Sequence, residues 1–128
     1  MTDMLAGCRI LIVEDEMLVL MNIELALEDL GCTTISTAAT VPEALALLAD
    51  QNFHAAMIDV NLGGEKSYPI ADRLAQRGIP FAFSTGYSGH GDRVEFEGRP
   101  MLRKPYLPAE LAAVFGQLVL EPPRPGTA

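Results

Sequence analysis

Three carboxylates, a hydroxyl and an ammonium stand in this 128-residue chain where apolar runs give way to loops. Glu14 and Asp15 follow CRILIV, Asp59 follows HAAMI, Thr85 follows IPFAFS and Lys104 follows RPMLR. Carboxylates brought together repel one another unless they are protonated or bridged by a cation. Hard oxygen ligands with no imidazole or thiolate among them suit Mg²⁺ (or Mn²⁺), an ion commonly held by one or two carboxylates plus phosphate. An ammonium nearby supplies a point charge for a phosphoryl oxygen, and a hydroxyl supplies a donor. A carboxylate nucleophile would give an acyl phosphate. The inventory therefore fits phosphoryl transfer, which asks a protein mainly for charge neutralisation and in-line positioning.

Taken singly, each residue has an ordinary structural explanation. The triplet Glu14-Asp15-Glu16 favours a helix start through the helix dipole, and Asp59 suits a turn. Thr85 is a β-prone residue closing a strand, and a lone Lys is usually solvated. Shared placement at strand ends changes the balance, because parallel strands of an open α/β sheet bring their carboxyl ends to one edge.

The elements that would create that edge are readable. Cys8 to Val13 is a continuous aliphatic run of the kind that fills a strand buried on both faces. Leu20, Ile23, Leu27 and Leu30 then recur at helical spacing, with Gly31 as the stop. Thr33 to Thr37 is a second strand, and Thr40-Val41-Pro42-Glu43 a capping box opening a second helix. His54 to Ile58 forms a third strand ending at Asp59, with a loop at Asn61-Leu62-Gly63-Gly64 and a third helix from Tyr68 to Arg77 closed by Gly78. Ile79 to Ser84 is a fourth strand. Arg99 to Arg103 is a fifth, its Pro100 suited to a strand start. Leu111, Val114, Phe115 and Leu118 place one helical face against the sheet. Glycines 86, 89, 91 and 98 dilute the pattern between the fourth and fifth strands, so the fourth helix is expected to be short or poorly ordered. Strands alternating with helices imply right-handed crossovers and an α/β, doubly wound, five-stranded parallel sheet.

Bulk properties narrow the function classes. The size is that of one domain able to bury a core unaided, with residues 1–7 expected as a leader, 8–120 as the domain and 121–128 as a flexible tail. A net charge of −8 argues against a sequence-independent grip on nucleic acid. Cys8 and Cys32 lack the spacing of a zinc or redox motif, and two reduced thiols fit a cytoplasmic protein. No run approaches the roughly 20 apolar residues of a membrane span, and no signal peptide is visible. His54 and His90 have no partner at metal spacing.

The Glu14-Asp15 pair, Asp59 in MIDVNL, Thr85 in FSTGY and the Lys104-Pro105 pair together resemble the receiver domain of bacterial two-component response regulators, over about Cys8 to Leu120. The resemblance implies the flavodoxin-like strand order 2-1-3-4-5. It makes Asp59 the phosphoacceptor and Thr85 the switch hydroxyl, with Lys104 the phosphoryl contact. Mg²⁺ would be held by Glu14 or Asp15 with Asp59 and the Asn61 backbone carbonyl. The donor would be a phosphohistidine on a sensor histidine kinase or histidine phosphotransfer protein, and the output a change of protein partner without a DNA-binding domain or catalytic turnover beyond the chain's own phosphorylation and slow dephosphorylation. Phe83 to Tyr87 resembles a single-domain subclass with a Phe-Ala-Thr-Gly-type motif, Ser84 standing for Ala. Leu102 occupies a position where many receivers carry an aromatic, which leaves Tyr87 and Pro105 as candidate signalling residues, with a packed surface tyrosine as the alternative for Tyr87. Ordering of residues 86–98 on phosphorylation would create the partner surface.

Two other functions compete. An aspartyl-phosphate phosphohydrolase using Mg²⁺ wants a general acid two residues after its nucleophile, where this chain has Asn61. A phosphate-independent interaction domain would have lost an acid, the Thr or the Lys, and none is lost.

Overall fold

A computed structural model describes residues 3–86 and 98–120. Tyr87, His90, the expected fourth helix and the 121–128 tail lie outside the described residues. The elements run β1 (Arg9–Val13), α1 (Met17–Asp29), β2 (Thr34–Ala38), α2 (Val41–Asp50), β3 (Ala55–Asp59), β4 (Asn61–Leu62), β5 (Glu65–Lys66), α3 (Tyr68–Gln76), β6 (Phe81–Thr85), β7 (Met101–Arg103) and α4 (Pro108–Leu120). Five strands pair in parallel in the order β2-β1-β3-β6-β7, which is 2-1-3-4-5 among the sheet strands.

Alternation along each strand splits the core in two, because successive side chains point to opposite faces. Leu11, Val13, Ala56, Ile58, Phe81 and Phe83 meet Val41, Ala44 and Leu48 of α2 and Ile70, Ala71 and Leu74 of α3. Ile10, Ile12, Ala55, Met57, Ala82 and Leu102 meet Ile23 and Leu27 of α1 and Leu111, Phe115 and Leu118 of α4. Helices thus cover both faces, as the crossovers require. Leu5, in the segment expected as a leader, is fully buried in the second cluster, and its N–H donates to Leu30 O at 2.9 Å.

Local chemistry sets the element ends. Thr40 Oγ1 accepts from Glu43 N at 3.2 Å and donates to the Glu43 carboxylate at 3.1 Å, fixing the start of α2. Gly31 takes φ +90° after α1, where a side chain would be strained. His54 is structural: its Nδ1 accepts from Arg9 N at 2.9 Å.

One segment departs from the sequence expectation. The residues after Asp59 were expected as a loop, yet Asn61–Leu62 and Glu65–Lys66 pair antiparallel in a small hairpin. Gly63 and Gly64, at φ +59° and +91°, turn it. Strands of two residues carry no periodicity from which to read them.

Register then aligns the carboxyl ends. Val13 pairs with Ile58, Asp59 with Ser84 and Thr85 with Arg103, so residues 14, 59, 85 and 104 reach one edge.

On α1 the packing face should dominate stability. Leu27 is fully buried while Leu25, two residues earlier, is 61% exposed. We expect Leu27→Ala to cost about 2–5 kcal/mol and Leu25→Ala less than about 0.5 kcal/mol, measured by urea unfolding.

Candidate functional site

Lys104 is the centre of the edge. Its Nζ donates to Asp59 Oδ2 at 2.8 Å, to Glu16 Oε1 at 2.9 Å and to Glu14 Oε2 at 3.1 Å. Glu14 Oε1 lies 3.0 Å from the same nitrogen, in a direction that makes no hydrogen bond. The Lys104–Pro105 peptide is cis, and the Lys104 N–H donates to Thr85 O at 2.8 Å, tying the end of β7 to the end of β6.

Each carboxylate is held differently. Glu14 is buried, and its Oε2 also accepts from Glu16 N at 3.1 Å. Asp15 is exposed, and its Oδ2 accepts from Gly63 N at 2.9 Å, so the hairpin turn reaches across to orient it. Asp59 is buried beside Ser84 in the ladder, and its Oδ1 accepts from Asn61 N at 3.2 Å. Glu16 is the N-cap of α1 yet makes no capping bond through its side chain, which turns to Lys104 instead.

Burial pushes the Glu14 carboxyl up to about 7, with Asp59 adding to the rise and Lys104 and the Glu16 N–H opposing it. Burial alone would lower the Lys104 ammonium, but hydrogen bonds to Asp59, Glu16 and Glu14 hold it above its ordinary value. Burial likewise raises the phenol of Tyr106 to about 12.

The donor set suits a hard divalent cation. Glu14, Asp15, Glu16 and Asp59 each offer a carboxylate oxygen, all within 4.8 Å of one another. Glu14 Oε1, buried and without a hydrogen bond, has a lone pair to give. Above them opens a cavity of about 450 Å³ lined by Asp15, Glu16, Asp59, Asn61, Gly63 and Lys104, among others.

Sequence reasoning named Glu14, Asp15, Asp59, Asn61 and Lys104, and the structure brings them together. Thr85 ends β6 and is buried, and Gly86 after it lines the cavity. Pro105 lies on a different groove, between α1 and α4. Glu16 was missed as a Lys104 partner because its neighbours in sequence made a helix-start role sufficient. Gly63 was missed because its contribution is a backbone N–H.

Comparison with known proteins agrees with this geometry. Residues 10–115 match the response regulator receiver domain family. The chain is 46% identical to SdrG from Sphingomonas melonis, whose solution structure superposes with a TM-score of 0.78 over 88% of this chain and 96% of that one. It is 31% identical over 116 residues to the phyllosphere-induced regulator PhyR of Methylorubrum extorquens, covering 85% of this chain but only 42% of that longer protein. The receiver domain of a sensor histidine kinase from Pseudomonas aeruginosa, solved with magnesium coordinated in its active site cleft, is 25% identical. It superposes with a TM-score of 0.78 over 91% of this chain and 100% of that one.

The raised Glu14 carboxyl has a consequence for stability. Between its ordinary 4.5 and about 7 the folded chain keeps a proton that the unfolded chain has released. Glu14 therefore favours the fold in acid, and that contribution disappears as pH rises through about 7. Metal-free protein should lose thermal stability between about pH 5 and pH 8, and Glu14→Gln should flatten the decline in melting followed by circular dichroism. An unchanged slope in Glu14→Gln would assign the effect to another group.

Proposed function

The chain belongs to the response regulator receiver domain family, and from that premise we propose that it accepts a phosphoryl group on Asp59 from a phosphohistidine of a sensor histidine kinase or histidine phosphotransfer protein. The observation that carries the proposal is the Lys104 ammonium set among Asp59, Glu14 and Glu16 at the carboxyl edge of the sheet. A structural ion pair needs one carboxylate, and this arrangement gathers three around a single ammonium.

Asp59 is the acceptor because it combines burial with an open side. Its Oδ1 is oriented by Asn61 N–H, and the residue lines the cavity through which a donor would approach. In the transfer a carboxylate oxygen of Asp59 forms a bond to phosphorus while the P–N bond to the donor imidazole breaks, its electron pair returning to the imidazole. Lys104, resting on Asp59 Oδ2, passes to an oxygen of the incoming group and offsets the charge it brings. Thr85, next to Ser84 in the ladder partnered with Asp59, supplies a hydroxyl donor to the same group.

Glu14, Asp15 and Asp59, with the Asn61 carbonyl, would hold Mg²⁺ or Mn²⁺. When bound, the ion supplies the positive charge needed to let carboxylates and phosphoryl oxygens share one site. Glu14 then stays ionised, and Lys104 is released from its resting contacts.

Asn61 sits where an aspartyl-phosphate hydrolase would place its general acid, and an amide cannot give up a proton in that role. The phosphorylated state is accordingly a signal to a protein partner. With a net charge of −8, that partner is not nucleic acid.

Incubation with Mg²⁺ and acetyl phosphate should add a single phosphoryl group detectable by intact-mass spectrometry, and Asp59→Asn should abolish it. An adduct that survives Asp59→Asn would overturn the assignment.

A further inference from the structure

Two buried hydroxyls beside the acid site have no partner. Ser84 Oγ and Tyr106 Oη are both enclosed and neither completes a hydrogen bond. They face one another nonetheless: burial raises the Tyr106 phenol, and the nearby Ser84 hydroxyl is the main influence opposing that rise. Folded proteins leave few such groups unpaired, and a hydroxyl both donates and accepts. A small approach of either side chain would satisfy both.

Chain connectivity ties each hydroxyl to the chemistry. Ser84 is the ladder partner of Asp59 on one side and of Leu102 on the other, and its carbonyl accepts from Val60 N at 3.0 Å. Thr85 follows it directly, and Thr85 O accepts from Lys104 N. Tyr106 stands two residues beyond Lys104, close enough that Glu14, Lys104 and Asp59 all act on its phenol through space. A group added to Asp59 that engages both Thr85 and Lys104 therefore pulls on the backbone on both sides of the hydroxyl pair. Leu102, two residues before Lys104, is an aliphatic side chain buried in the apolar cluster and has no hydroxyl to offer.

The ring of Tyr106 also reaches the surface. It walls a groove of about 680 Å³ between α1 and the start of α4, together with Val19, Ile23, Lys104 and Leu111.

We propose that Ser84 and Tyr106 are a positioning pair whose hydroxyls join when Asp59 is loaded, carrying the state of the acceptor to the groove between α1 and α4. The pair rests on the reading of Asp59 as acceptor and adds two residues to it. Ser84 holds the inner end and Tyr106 the outer, and neither touches the transferred group.

Fluorine NMR of protein carrying 3-fluorotyrosine tests this. The chain has three tyrosines, so the Tyr106 resonance is assigned by its loss in Tyr106→Phe. Beryllofluoride with Mg²⁺ serves as the probe for a loaded Asp59. The Tyr106 resonance should move when the probe is added, and Ser84→Ala should reduce that movement by about half or more. In Ser84→Ala the acetyl phosphate adduct should still form at a rate within about twofold of the parent. A Tyr106 resonance that stays in place although the adduct forms, or that moves equally in Ser84→Ala, overturns the pair. A larger loss of adduct in Ser84→Ala would place Ser84 in the chemistry and overturn it too. Absence of the adduct from the parent protein is read separately by mass, and it overturns the acceptor assignment itself.

Discussion

Negative charge crowded onto one edge of a parallel sheet is the constraint around which this protein is organised. Two buried carboxylates, Glu14 and Asp59, and two exposed ones, Asp15 and Glu16, converge there. Such a cluster is stable only with compensating positive charge or bound protons. The structure shows both devices. Lys104 lies within 3.1 Å of three of the acids, and the Glu14 carboxyl is raised to about 7, so that it takes up a proton readily. A site balanced in this way responds to whatever adds or removes charge, which makes a phosphoryl group and a divalent cation effective inputs.

The rest of the fold serves that edge. Parallel pairing puts Val13 beside Ile58 and Asp59 beside Ser84, so the acids arrive level with one another and not staggered along the strands. Two separate apolar clusters, one under α2 and α3 and one under α1 and α4, clamp the sheet from both sides. The residues just beyond the strands then only need short loops. The β4–β5 hairpin adds a strut that the sheet itself does not supply, sending the Gly63 N–H to Asp15. Glu16, at the junction of the edge and α1, gives up a capping role to bind Lys104, and so links the acid cluster to the start of a helix whose outward face carries exposed Met17, Leu18, Met21 and Leu25.

The sheet was legible because burial on both faces leaves a simple mark. CRILIV and HAAMI are unbroken apolar runs, and each ends in an acid. The face of α1 that packs was legible from Leu20, Ile23 and Leu27, although the helix is also apolar elsewhere. Legibility failed where an interaction depends on geometry without a sequence pattern. Glu16 meets Lys104 across 88 residues, while its local context already explained an acid at that place. The hairpin is too short to alternate. Tyr106 reads as one more aromatic near a helix, and only the burial of its oxygen opposite Ser84 distinguishes it. Asp59, Thr85 and Lys104 were found because their placement at strand ends is itself the signal.

The central claim is that this edge is a charge-compensated acceptor site for a hard divalent cation, with Asp59 among its ligands. Calorimetric titration of the protein with Mg²⁺ measures that directly. The account predicts one ion bound per chain, with affinity falling by about tenfold or more in Asp59→Asn, because a neutral amide replaces a buried carboxylate ligand. Equal Mg²⁺ binding by the parent protein and Asp59→Asn, or no binding by either, would contradict it.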